Sequence, residues 1–387
     1  MSNAFDDNAL ATTIRSGVRG ENVFTGSAAL DRIVRDSALD TSMGERFPEH
    51  RVEAELRRLY HLSGQLSRIP TEKDDTFRLA TDAGRFLVKV APATESVQIV
   101  NLQSAVMLHL EKARPAVPIQ RLVRGVHGQV ESTVVDSEGN PRILRVMNYL
   151  DGDLLSSLAP TASQAQQVGS ALARLDGALT SFRHPEESRL LIWDLKNFLH
   201  MRPLLQLVNE RDDVSMATWV FDQFEATVAP RMATLPTQMI HGDFSPFNVV
   251  VDPAADGFVT GVIDFGDVVR SPVVFELAVA VANQIGVNER RPWDSALDIV
   301  RGYRAVRPLA DRDVALLAVA GPARLLLRAL IFGWRAAVDP HSRDYGMSHS
   351  ARDWTRLRCA LSVAMPTVQT LLSDTGAPPS QTGEQGA

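Results

Sequence analysis

Between Met239 and Asp267 the chain reads M-I-H-G-D-F-S-P-F-N-V-V-V-D, then a short polar insert, then F-V-T-G-V-I-D-F-G-D. No other stretch narrows the possible folds as far. Three polar residues, Asp243, Asn248 and Asp264, each stand beside a short apolar, β-branched run. That pattern predicts polar loops at the ends of buried strands. Asp, Asn, Gly and Pro are also ordinary turn formers. Turn chemistry alone leaves the five-residue step from Asp243 to Asn248 unexplained, together with the second carboxylate on the following strand.

An Asp followed by an Asn after four intervening residues, with D-F-G further on, is the arrangement with which protein kinases hold an acceptor hydroxyl and a metal ion. In that arrangement Asp243 takes a hydrogen bond from an alcohol and accepts its proton late. Asn248 offers a neutral oxygen and Asp264 a charged one to Mg²⁺. This hard cation needs few protein ligands because it keeps water and phosphate oxygens. His241, just ahead of Asp243, reads as a brace for the loop rather than as a base.

The rest of the chain supplies a setting. Its 387 residues suggest two to three domains or lobes. A hydrophobic content of 45% suffices for a large core and argues against global disorder. The formal charge of −6 comes with no basic block, which argues against a nucleic-acid partner. The single cysteine, Cys359, excludes an intramolecular disulfide, and the N-terminus lacks a basic region followed by an apolar run. A cytoplasmic location is the expectation. Val314 to Val338 is the one membrane-like stretch, but Arg324, Arg328 and Arg335 interrupt it and Pro322 falls early in it. Such arginines are costly in hydrocarbon, so a buried core helix is expected and no membrane partner.

The order of elements predicts an α+β chain of two lobes. Residues 1–44 form an N-terminal extension, partly flexible, with a short helix at Ser27 to Val34. Residues 45–147 form the N-lobe. There a helix over Glu49 to Tyr60, closed by Gly64, precedes strands at Gln65–Ile69, Thr76–Ala80, Arg85–Val90, Gly128–Asp136 and Arg142–Tyr149, with one helix over Ser96–Lys112. Residues 148–374 form a larger, mainly helical C-lobe, with helices expected over Ser163–Leu179, Leu190–Glu210, Ser215–Ala229 and from Val274 to about Leu372. Residues 375–387 are a disordered tail rich in Gly, Pro, Ser and Gln. A cleft is expected between the lobes.

Further candidates flank that cleft. Lys89 closes an apolar strand and is either a solvated lysine on a sheet or, in a kinase-like layout, the group that reaches the α- and β-phosphates. Its usual helical Glu is missing. Gln103 stands at the expected offset and could hydrogen-bond the ammonium without forming an ion pair. The turn P-T-E-K-D-D-T-F sits where a phosphate-covering loop belongs, and the Thr71 and Thr76 hydroxyls could touch phosphate although the turn is not glycine-rich. There is no G-x-x-x-x-G-K-[ST], which disfavours a P-loop NTPase. Trp193 and Asp194 open a helix, either as an N-terminal carboxylate beside a core aromatic or as an acidic acceptor site. Asp267 and Glu276 are similar candidates. Glu276 lies in an apolar helix, where an ion pair with a late arginine would explain it equally well.

I-H-G-D-F-S-P-F-N-V-V-V together with G-V-I-D-F-G-D resembles the aminoglycoside phosphotransferase and choline kinase superfamily, which has a protein-kinase-like fold. T-E-K-D-D-T-F-R-L, F-R-H-P-E-E-S-R-L-L-I-W-D-L and I-D-F-G-D-V-V-R-S-P-V-V-F-E-L-A-V-A look closest to its hydroxylysine kinase branch, whose kinase-like domains also occur fused to class III aminotransferases. The resemblance spans about Phe47 to Leu361. It implies that Asp243 is the catalytic residue, that Asn248 and Asp264 bind Mg²⁺, and that Lys89 binds the phosphates of ATP or GTP. Met147 to Leu150, including Tyr149, would form the hinge to the nucleobase. The C-terminal helices would frame an acceptor pocket, often acidic in this superfamily. Gln103 in place of an acid, and Ser245 and Pro246 in the loop, depart from the pattern. The expected activity is transfer of the γ-phosphate to the hydroxyl of a small amine or amino acid, with a hydroxylysine-like acceptor favoured over an aminoglycoside, a choline-type amine or homoserine. The competing reading is a kinase-like protein that binds nucleotide without catalysis.

Overall fold

The computed structural model describes residues 25, 27–37, 46–71, 73–113, 118–339 and 343–376. Most of the expected extension over 1–44 and tail over 375–387 therefore lies outside the described residues. Within the extension, Ala28–Asp36 forms helix α1, and the Ser27 side chain accepts from the Leu30 N–H as its N-cap. Leu30, Ile33 and Val34 share one face and are buried. They enter the core of the helical half of the protein, not that of the sheet. The Ile192 N–H donates to Ser37 Oγ at 2.8 Å and ties the end of α1 there.

Helix α2, Glu49–Tyr60, buries Val52, Leu56 and Leu59 at helical spacing. It ends at His61 in the left-handed region, three residues before the glycine expected to close it. Strands β1 (Gln65–Ile69), β2 (Asp75–Thr81), β3 (Gly84–Val90), β4 (Ser132–Val135) and β5 (Pro141–Asn148) build an antiparallel sheet in the order β1-β2-β3-β5-β4. The period-2 pattern of β3 buries Val88 and Val90 and turns Lys89 to the opposite face. Asp75 locks three elements together. Its carboxylate accepts from the Phe47 N–H at 2.9 Å, from Arg142 Nη2 at 2.8 Å and from Arg68.

Helix α3, Val97–Glu111, lies between the two halves. Val100 meets Ala91 and Ile143 of the sheet side, while Leu102, Val106, Met107 and Leu110 belong to the larger core.

The second half adds strand β6 (Asp153–Leu154) and helix α4 (Ala162–Leu179), which opens on a Thr161–Gln164 capping box. Two expected helices are corrected. The segment expected over Leu190–Glu210 is a 3₁₀ run from Leu195 to Leu207. Pro203 inside it cannot donate a backbone N–H. The segment expected over Ser215–Ala229 is helix α5, Arg211–Gln223, followed by a π-turn at Phe224–Val228 and a 3₁₀ turn at Ala229–Thr234 that carries Pro230. Strand β7 (Thr237–Ile240) pairs with β10 (Val269–Pro272), and β8 (Val249–Val251) pairs with β6 and with β9 (Val259–Val262). These short ladders present the loops of the opening motif. Helices α6 (Val273–Ala282), α7 (Asp294–Val306), α8 (Leu317–Val338), α9 (Arg343–Leu361) and α10 (Met365–Asp374) complete the chain. By length and composition α8 could cross a bilayer, but its apolar window is 89% buried inside the protein.

Helices α4 and α7 cross with their backbones in near contact. A Cβ on Gly302 would stand 1.8 Å from the Gln166 carbonyl oxygen, and one on Gly169 would stand 1.9 Å from that of Ile299. Ser170 Oγ donates to Gly302 O at 3.0 Å across the seam. The crossing brings Asp176 of α4 to Tyr303 of α7, beneath the loop that carries Asp243. Gly302→Ala must push the helices apart and should cost about 1–3 kcal/mol, in the range of core overpacking. Thermal unfolding checks this, and an unchanged midpoint would show that the seam is not tight.

Candidate active site

The cleft between the sheet and the helical half encloses about 530 Å³. Thr71, Thr76 and Lys89 line it from the sheet side, and Asp243, Asn248 and Asp264 line it from the other. Residues distant in sequence thus meet in one place because β3 and the β7–β10 loops face each other.

The H-G-D turn is held from below. Gly242 adopts φ +80°, and a Cβ there would stand 2.3 Å from the Asp267 carbonyl oxygen, so both conformation and space require glycine. Its N–H donates to Glu276 Oε2 at 2.9 Å. His241 is fully buried. Its Nδ1 accepts from the Asp243 N–H at 3.3 Å, which leaves the proton on Nε2 to donate to Ile263 O at 3.0 Å. Burial lowers the imidazole pKa, so the ring is neutral. The expected brace is what the geometry shows.

Asn248 Nδ2 donates to Asp243 Oδ2 at 2.7 Å and to Asp243 O at 3.0 Å. Both bonds come from the amide nitrogen, which leaves the amide oxygen as the acceptor available to a cation. Asp264 sits at φ +61° and ψ +81°, left-handed backbone that few non-glycine residues adopt. Its Oδ1 accepts from the Gly266 N–H at 3.2 Å and from Lys89 Nζ at 3.0 Å. Asp74 Oδ2 lies 3.7 Å from the same ammonium. Burial alone would lower the Lys89 pKa, but Asp264 and Asp74 outweigh it and hold the ammonium charged. Lys89 in turn lowers the Asp264 pKa. Burial raises that of Asp243, against the pull of Arg324. A neutral amide oxygen beside a charged carboxylate is a donor set that suits Mg²⁺ with phosphate oxygens completing its shell.

Several expected roles are corrected. Gln103 does not touch Lys89. Its Oε1 accepts from Arg145 Nη2 at 2.8 Å and its Nε2 donates to Gly266 O at 3.4 Å, so it ties α3 to the D-F-G turn. The acid beside Lys89 comes instead from Asp264 and Asp74. Thr71 Oγ1 donates to Asp74 O at 2.6 Å and lies 3.1 Å from Thr76 Oγ1, which shapes the turn without glycine. Met147 and Tyr149 are not among the cleft-lining residues. Met147 is buried in the core, and the Tyr149 N–H already donates to Arg85 O at 3.0 Å. Asp194 is also turned away. It caps the 3₁₀ run through the Lys196 N–H at 3.0 Å and accepts from Ser271 Oγ at 2.8 Å. Glu276 supports Gly242 and faces neither the acceptor side nor a late arginine. Trp193 and Asp267 do line the cleft.

Sequence reasoning missed the arginines of α8 as site residues. Arg324, Arg328 and Arg335 line the cleft with Arg189 and Arg352, so its acceptor side is not the acidic frame that the resemblance suggested. The signal was present in the sequence: positions 324, 328 and 335 recur at four and seven residues, one face of a helix.

Beneath the loop lies a buried acidic group. Tyr303 OH donates to Asp176 Oδ2 at 2.6 Å, and Asp176 Oδ1 has no partner among the described residues. Burial pushes Asp176 up to about 7. Burial, and then the charge of Asp176, push Glu276 well above the carboxylate range.

Comparisons with known proteins give the chain's relatives. The model of the phosphotransferase enzyme family APH matches residues 65–310. A hydroxylysine kinase of Mus musculus is 21% identical over 334 residues, covering 80% of this chain and 88% of that one. A homoserine kinase of Hyphomonas neptunium is 26% identical over 281 residues, covering 68% and 79%. Among solved structures, a microcompartment-associated aminopropanol kinase superposes with a TM-score of 0.64 at 18% identity, covering 80% of this chain and 97% of that one. The amicoumacin kinase hAmiN, solved in complex with AMP-PNP, Ca²⁺ and Ami, reaches 0.61 at 15% identity, covering 83% and 95%.

Asp176 generates a pH prediction. A carboxyl whose folded pKa lies above its unfolded value stabilises fully below the unfolded value and loses that contribution as pH rises through the folded one. Stability should therefore fall between about pH 4 and pH 7 by about 1–4 kcal/mol from this group. Thermal midpoints from pH 5 to 8 should show that slope in the native protein and a shallower one in Asp176→Asn, the remainder coming from Asp267, raised to about 6, and from Glu276. Parallel curves would remove the assignment.

Proposed function

From the premise that this chain belongs to the APH phosphotransferase enzyme family and is a small-molecule kinase, we propose that it moves the γ-phosphoryl of ATP or GTP to the hydroxyl of a small amine or amino acid. One observation carries this reading: Lys89, Asp264, Asn248 and Asp243 meet in a single cleft. The hydroxylysine kinase and homoserine kinase relatives favour a hydroxylated amino acid, with a hydroxylysine-like acceptor first.

The roles follow from the chemistry of each group. Lys89, kept charged, binds the phosphates of the nucleotide. Asn248 and Asp264 would hold Mg²⁺, which when bound would neutralise charge on the transferring phosphoryl group. Asp243 accepts the hydrogen bond of the acceptor hydroxyl, orients its oxygen and takes the proton as the bond to phosphorus forms. Its raised pKa makes it a better proton acceptor than an exposed aspartate. Gln103 and Arg145 fix the D-F-G turn relative to the sheet. Catalysis is then mainly positioning and charge neutralisation.

A panel of 5-hydroxylysine, homoserine, 1-amino-2-propanol, choline and an aminoglycoside, each offered with Mg·ATP and Mg·GTP, tests the reading. At least one amine should be phosphorylated. Binding of both nucleotides with no acceptor turned over would leave the non-catalytic reading instead. Asp243→Asn should keep nucleotide affinity and lose about 10²–10⁴-fold in kcat. Full activity in that variant would remove Asp243 from its role.

A further inference from the structure

Helix α8 carries two arginines into the cleft, one turn apart, Arg324 buried and Arg328 half-buried, and they differ in their partners. Arg328 is satisfied. Asp353 accepts from both Nε, at 2.9 Å, and Nη2, and Asn283 Oδ1 accepts from Nη1 at 2.6 Å. Arg324 is not. It is only 3% exposed, yet its Nε and Nη1 have no hydrogen-bond partner among the described residues. No carboxylate of the described residues lies within ion-pair distance of it. The face of Trp193 lies against it, with the ring centroid 5.6 Å from the guanidinium carbon, and the charges of Asp243, Asp267 and Asp194 act on it from beyond ion-pair distance. An aromatic face attracts a cation but accepts no conventional hydrogen bond.

Burying an unpaired charge is unfavourable, and a protein tolerates it where a ligand completes the pair. A guanidinium is a planar array of donors whose natural partner is a carboxylate or a phosphate. The phosphate-binding cation is already present, since Lys89 reaches the opposite wall of the cleft. Arg324 instead stands among the acceptor-side residues, and its charge is the strongest positive influence on Asp243. Asp267 lines the same cleft, where no ion pair within 4 Å holds its carboxylate and the charges of Arg189 and Arg324 act on it from farther off. An unpaired cation and an unpaired anion flanking the hydroxyl-orienting Asp243 match a zwitterion.

We propose that Arg324 is the specificity-determining anchor for the carboxylate of the acceptor, so that this kinase selects a hydroxylated amino acid over the corresponding amino alcohol. The proposal rests on the phosphotransfer reading above and narrows its acceptor class. Trp193 forms a flat wall beside the anchored carboxylate, Asp267 takes the ammonium, and the remaining length of the molecule carries the hydroxyl to Asp243. Choline-type amines and simple amino alcohols leave Arg324 unpaired when they bind, and the site discriminates against them for that reason.

Matched acceptors test the proposal: homoserine against 3-amino-1-propanol, and 5-hydroxylysine against 1,5-diaminopentan-2-ol. Each pair differs by one carboxylate. For the better of the two amino acids, the native enzyme should favour the acid by about 10²-fold or more in kcat/KM. Arg324→Gln should collapse that ratio toward unity, through KM for the amino acid rather than KM for ATP. Arg324→Lys should restore part of it, because a point charge still attracts a carboxylate. Calorimetric binding of the same four compounds to the protein with Mg·AMP-PNP gives a readout that does not need turnover. Preference for the acids there, with no phosphorylation, would sink the phosphotransfer reading and leave the anchor standing. Equal affinity within each pair would overturn the anchor even if both compounds are phosphorylated. An equal loss of kcat on both members of a pair in Arg324→Gln would also overturn it, and would assign Arg324 to the transferring phosphoryl group. Thermal unfolding supplies the control. Removal of an unpaired buried charge should leave the midpoint unchanged or raise it, whereas a fall of several degrees in both variants would mark a structural role and overturn the proposal.

Discussion

The ion pair between Lys89 and Asp264 joins β3 to the turn after β9, 175 residues apart in the sequence. Lys89 reaches the cleft because Val88 and Val90 bury themselves on the other face of β3, which fixes the direction of the residue between them. Asp264 reaches it because the chain turns through a left-handed residue straight after β9. The geometry of the cleft depends on both conditions at once. A one-residue slip in β3 would bury the lysine and expose two valines. In the reading proposed above the same carboxylate serves the cation, and nucleotide phosphates would offer the lysine a substitute partner. The pair is therefore well suited to hold the halves in register before nucleotide arrives and to exchange partners afterwards.

The second support is hidden below the catalytic loop. Glu276 is a carboxylate in a helix whose ten residues are all buried. Such a group is unfavourable unless it is hydrogen-bonded, and here it accepts from the backbone of the glycine that precedes Asp243. Beneath it, Tyr303 of α7 and Asp176 of α4 meet across the α4–α7 seam, and the Asp176 charge acts on Glu276. The paired glycines of that seam are far from any reacting atom. They still set how closely the acidic group approaches the floor of the site.

Much of this was legible in the sequence, and the reasons are physical. Strand β3 and helix α2 carry clean periods of two and 3.6, so their bounds and buried faces could be read directly. The motif from Met239 to Asp267 combines turn formers and β-branched runs with a spacing that few folds can use, which made Asp243, Asn248 and Asp264 identifiable together. The failures share a cause as well. Glu276 and Asp194 were offered as acceptor-side acids, each beside a structural alternative, and Gln103 as a partner of Lys89, because a polar residue near a motif suggests chemistry. The Gly242 N–H, Arg145 and the Ser271 hydroxyl come to them from remote segments and leave no local pattern, whereas the Asp194 cap on the Lys196 N–H is local. The helix expected over Leu190–Glu210 failed on Pro203, because apolar periodicity carries no information about a missing N–H.

The arginines of α8 show where a correct exclusion stopped one step early. Their presence in an apolar stretch argues that the helix is buried in protein and does not lie in lipid. The same physics has a further consequence, since a charge in a protein core also requires a partner. Asp353 and Asn283 supply one for Arg328 from α9 and from the end of α6, and the fold accounts for that residue completely. No described residue does so for Arg324, although it stands one turn away on the same face. A rigid, largely buried helix gives its side chain little freedom to seek solvent. What remains is a fixed cation at the wall of a cleft, and a fixed cation selects among ligands by charge before it selects by shape.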